Sequence, residues 1–92
     1  MLNVNEIINK FKKQSKDNYI IKGEDYFNRK VISFFIDKDI EDIKELMESY
    51  KNNKPVILDK EEINVASILK SWNEPLFCLR FTFGDSLLKD TI

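Results

Sequence analysis

The chain has 92 residues, enough to close one hydrophobic core and too few for two, so a single domain over 1–92 is expected, with 85–92 as a loose tail or one helical turn. Apolar residues at 42% and charged residues at 34% exclude a disordered chain, and a formal net charge of -1 excludes a global field that would draw the molecule onto nucleic acid or an anionic membrane. A single cysteine, Cys78, excludes an internal disulfide and a thiolate metal site and fits a reducing, cytosolic setting, and no run of about 18 apolar residues is present to span a membrane.

Val4, Ile7, Ile8 and Phe11 follow the i, i+3, i+4, i+7 spacing of one helical face, with Asn3 as N-cap and Glu6 three residues on; a helix is predicted from about Asn3, fading by Lys16. Two extended runs follow, "NYIIK" and "KVISFFI", joined by "GEDYFNR", and together they read as a β-hairpin. Because both alternate sets of the second run are largely apolar, that strand is expected inside the sheet with both faces covered. A second helix is predicted from Asp37 or Asp39, with Ile40, Ile43, Leu46, Met47 and Tyr50 on one side, ending at "KNNKP".

"VIL" at 56–58 reads as a brief strand. Asp59 and Glu62 then repeat the capping-box spacing, and Val65, Ile68, Leu69 and Trp72 again match one helical face, so a third helix is expected over about 60–72. The rival reading is a strand, since Ile63, Val65, Ser67 and Leu69 also alternate and the segment is rich in β-branched residues. "WNEP" is a turn in either case. In "PLFCLRFTFGD", Phe77, Leu79, Phe81 and Phe83 form one face of a final strand, expected under helices, while Cys78, Arg80 and Thr82 form a half-polar face expected to be partly open. The predicted fold class is α+β: an antiparallel or mixed sheet of three to four strands packed with two to three helices, in the order α-β-β-α-β-α-β.

No histidine is present, which removes the commonest general base and metal ligand, and neither glycine has a second one nearby to cradle phosphate. No catalytic residue, metal or cofactor is therefore expected, and an enzyme is disfavoured. Asp37, Asp39, Glu41 and Glu48 match positions 1, 3, 5 and 12 of a calcium loop, but position 6, which must turn sharply, is Asp42, and the segment carries a helical stripe. A solvated acidic helix face is the better reading.

Charge is unevenly spread. Residues 1–16 set Lys10, Lys12, Lys13 and Lys16 against Glu6, a balance of +3, whereas 37–48 set Asp37, Asp39, Glu41, Asp42, Glu45 and Glu48 against Lys38 and Lys44, a balance of -4. Two ordinary amphipathic helices showing water their polar sides are the better reading; the alternative is electrostatic steering, in which the acidic helix meets a basic groove or the basic helix meets phosphate. "GEDYFNRK" places Tyr26 and Phe27 at the predicted hairpin tip beside Arg29 and Lys30, the residue types of binding hot spots and of base stacking, although the plainer expectation is that one or both rings fold back over a helix.

"NVNEIINKFKK" followed by "YIIKG" resembles the opening of small type II-A anti-CRISPR inhibitors of Firmicutes phages, over about a quarter of the chain. The resemblance implies stoichiometric inhibition, with acidic residues occupying the DNA-reading site of an RNA-guided nuclease; here the candidates would be Asp37, Asp39, Glu41, Asp42, Glu45 and Glu48. The expectation is a non-enzymatic interaction protein, monomer or homodimer, that binds and inhibits a host protein through that acidic helix and Tyr26, Phe27 and Arg29. The alternative is a nucleic-acid-binding module using Lys10, Lys12, Lys13, Lys16 and Lys30 with the same tip.

Overall fold

The computed structural model describes residues 1–14, 19–36, 49–50 and 53–87. One helix, α1 (Val4–Gln14), precedes five strands: β1 (Tyr19–Glu24), β2 (Lys30–Ile36), β3 (Lys54–Leu58), β4 (Glu61–Asn73) and β5 (Leu76–Phe83). The strands form one antiparallel sheet in the order β1-β2-β5-β4-β3, curled into a half-barrel.

The helix starts where its cap demands. Asn3 Oδ1 accepts the N–H of Asn5 at 3.0 Å, satisfying one of the donors that a helix start leaves unpaired. Its apolar stripe of Val4, Ile8 and Phe11 is buried against the sheet together with Ile32, Phe34, Ile36, Val56, Leu58, Val65, Leu79, Phe81 and Phe83. Phe34 lies at the centre, its ring centroid 4.9 Å from Phe11 and 5.2 Å from Phe81. The hairpin of β1 and β2 forms as expected, and β2 is interior, paired with β1 on one side and β5 on the other.

Two expectations need correction. The described chain is mostly β, with a single helix and five strands, and is not an α+β fold of two to three helices on three to four strands. The third predicted helix is strand β4. Asp59 (φ 53°) and Lys60 (φ 69°) do not cap a helix: both sit in the left-handed region and form the two-residue turn that joins β3 to β4, the geometry whose twist matches flanking strands. A bulge then inserts Ala66 between Val65, opposite Phe83, and Ser67, opposite Thr82, so that Val65 and Ile68 face the core although three residues apart. The helix-like stripe came from that extra residue. The predicted second helix at 37–48 lies outside the described residues, and of its stripe only Tyr50 is described, packed against the core.

Candidate functional site

The β1–β2 hairpin closes through Tyr26, Phe27 and Asn28, with Asn28 in the left-handed region (φ 60°), and Asp25 N–H donates to the Arg29 carbonyl at 3.1 Å. Asp25 organises this tip. One carboxylate oxygen accepts the N–H of Phe27 at 2.9 Å and of Arg29 at 3.0 Å, and the other accepts Arg29 Nε at 2.8 Å. Desolvation pushes the Asp25 carboxyl up, but the backbone donors and the guanidinium together outweigh it and hold the group below its ordinary value.

Arg29 is locked from three directions. Besides Asp25, its guanidinium donates to the Asp85 carbonyl at 3.1 Å, and its Cζ lies 5.6 Å from the Phe27 ring centroid, within cation–π range. Gly84 (φ 136°) closes over the arginine stem, where an added Cβ would lie 3.1 Å from Arg29 Cγ. Tyr26 is fully exposed and Phe27 largely so. A rigid turn thus presents two rings to solvent, which lowers the ordering cost of binding.

The sequence-predicted candidates fall into separate places. Tyr26, Phe27 and Arg29 are brought together. Asp37, Asp39, Glu41, Asp42, Glu45 and Glu48 lie outside the described residues, as does Lys16, and with them the calcium-loop comparison. Lys10, Lys12 and Lys13 lie exposed on α1, while Lys30, at the tip end of β2, reaches Asp59 at 3.7 Å. Lys12 shares a cleft with Tyr19 and Lys22, at the end of β1 remote from the tip. By strand rise the cleft begins about 13 Å from Tyr26 at Lys22 and ends about 23 Å from it at Tyr19, so Lys12 and the tip rings are set apart.

The second face of the sheet is partly open, as expected, but through one residue. Of Cys78, Arg80 and Thr82 only Arg80 is exposed; Cys78 and Thr82 are buried, as is Ser33. Cross-strand neighbours Ser33 and Leu69 flank Arg80 and, with Ile21, Val31 and Thr82, floor a shallow groove of about 690 Å³ that begins under the hairpin tip. Trp72, the last residue of the stripe that reads as a helical face, is 60% exposed and packs edge-on to Phe77 at 4.6 Å. Asp25, Gly84 and Asp85 were not singled out from sequence; an aspartate opening a turn that ends in asparagine was the available signal. Among the described residues no group of three or more His, Cys, Asp or Glu side chains could hold a metal ion, and no helix is long and apolar enough to cross a membrane. No protein-family model, curated protein or solved structure matches the chain.

Proposed function

We propose that the protein is a non-enzymatic, cytoplasmic interaction protein that binds and blocks another protein, with the β1–β2 tip as its anchor. The observation that carries this reading is a fully exposed Tyr26 beside Phe27 on a turn braced by Asp25 and Arg29. Large aromatic surface held rigid in water lowers the stability of the free chain's solvation and returns that energy only on contact with a partner. The acidic run at 37–48 belongs to the same proposal as a second contact, and an RNA-guided nuclease is the target that the resemblance of "NVNEIINKFKK" and "YIIKG" supplies. The nucleic-acid alternative has less support, because Lys12 lies in a cleft with Tyr19 and Ile20, away from the tip.

The test compares capture from host lysate by the native chain, by Y26A/F27A and by a variant with Glu41, Asp42 and Glu45 reversed to lysine, each checked by circular dichroism. Proteins retained by the native chain alone are the expected result, and a purified type II-A nuclease should lose DNA cleavage at stoichiometric amounts of it. Identical capture by all three folded proteins would refute the proposal.

A further inference from the structure

The sheet has two edges, and the chain treats them differently. At the β3 edge Pro55 offers no N–H, and the Ile57 N–H is already donated to the Leu2 carbonyl at 2.8 Å, with Asn3 bridged to Ile57 in parallel. At the β1 edge there is no proline and no bulge, and among the described residues no backbone hydrogen bond reaches its outer side. Every residue of β1 except Ile20 is exposed, Ile21 and Tyr19 included. Such an edge is a template for another strand.

Both sides of this edge offer room for the alternating side chains of an added strand. On the core side a cleft of about 340 Å³ between α1 and β1 is lined by Ile8, Ile20, Lys12, Tyr19 and Lys22. On the other side the groove over Val31 and Arg80 begins at Ile21 and Gly23. Gly23 is itself informative: its φ is not positive, and a Cβ there would meet nothing within 4 Å, so the fold has no internal need for glycine. Glycine weakens a strand and marks places where another backbone or ligand comes close.

We propose that β1 accepts a sixth strand from a partner: an extended peptide carrying an aliphatic residue and an acidic residue two apart, with an aromatic residue between them. The aliphatic side chain enters the cleft against Ile8 and Ile20, the acid meets Lys12 and Lys22, and the aromatic lies on the other face over Ile21 and the space beside Gly23. Neither Lys12 nor Lys22 makes an ion pair among the described residues. A second copy of the chain is the competing occupant: about a two-fold axis perpendicular to the sheet, the register that sets Lys22 opposite Lys22 also sets the copy's Glu24 opposite Ile20 beside Lys12, so repulsion and attraction offset, whereas an acidic peptide meets both lysines without a like charge. This site stands independently of the tip reading.

The probe is a fluorescein-labelled heptapeptide, Thr-Glu-Phe-Val-Phe-Glu-Thr, whose core reads the same in both directions, with a Lys-for-Glu version as control. Anisotropy should show saturable binding of the acidic peptide to the full chain, weakened about tenfold or more in the lysine version, and reversed in preference by K12E/K22E. Amide NMR shifts should concentrate at 19–24, and K22P, which removes one outward-facing N–H of this edge and leaves the β1–β2 ladder intact, should, if folded by circular dichroism, bind neither peptide. Equal affinity for both peptides, an unchanged preference in K12E/K22E, shifts centred on the tip, no binding at about 1 mM peptide, or a dimer by light scattering that excludes the peptide would each overturn the proposal.

Discussion

Asp25 sets the state of the hairpin tip, because its two oxygens hold one side chain and two backbone N–H groups at once. Its folded value is depressed, so what the carboxylate contributes is complete above the ordinary carboxylate range and is lost as pH falls through the lowered value. In an NMR titration the Phe27 and Arg29 amide resonances should move together with a midpoint below that of an ordinary carboxylate, and D25N should abolish the transition. A midpoint at the ordinary value would show that the brace does not form. Gly84 is the other residue on which the tip depends. At φ 136° with Arg29 Cγ 3.1 Å from any added Cβ, G84A is expected to cost about 1–3 kcal/mol in denaturant unfolding and to weaken capture of the tip's partner with it.

At the scale of elements, the sequence was legible where periodicity and turn chemistry agreed. Asn3 and the Val4, Ile8, Phe11 stripe specify α1, and Tyr26 and Phe27 between a glycine and an asparagine announce a hairpin tip. β4 misled because Ala66 is an inserted residue: it shifts the inward set from Val65 to Ile68, and that i, i+3 step imitates a helix face. Asp59-Lys60 hid its turn for a related reason, since two non-glycine residues in the left-handed region are an uncommon way to build it. Substituting K60G should therefore stabilise the protein by about 0.5–1 kcal/mol, read as a raised denaturant midpoint with unchanged slope. A loss of stability would mean that the Lys60 side chain makes a contribution larger than the strain it carries.

For the whole molecule, the core was largely readable and the edges were not. Phe77, Leu79, Phe81 and Phe83 declare an inward face by alternation alone, and three of the four are buried. That β1 is an edge and β5 the middle strand follows from the order β1-β2-β5-β4-β3, which hydrophobic pattern does not encode. Lys12 and Lys22 likewise come from different elements, and their shared cleft exists only once α1 docks beside β1. The expected half-open face failed at Cys78 and Thr82 because small side chains in mid-sheet are shaded by their larger neighbours, leaving Arg80 alone to reach water.

Leu2 and Asn3 act as a cover over β3, and what they prevent is head-to-tail growth. Removing residues 1 and 2 takes away the Leu2 carbonyl while keeping the Asn3 cap of α1, so that each molecule has an uncovered strand at both ends of its sheet and β1 of one copy could seat on β3 of the next in an open, head-to-tail array. Such a truncated chain should form thioflavin-positive filaments under conditions where the full chain stays monodisperse, and a truncated chain that remains monodisperse would show that Pro55 by itself is a sufficient guard.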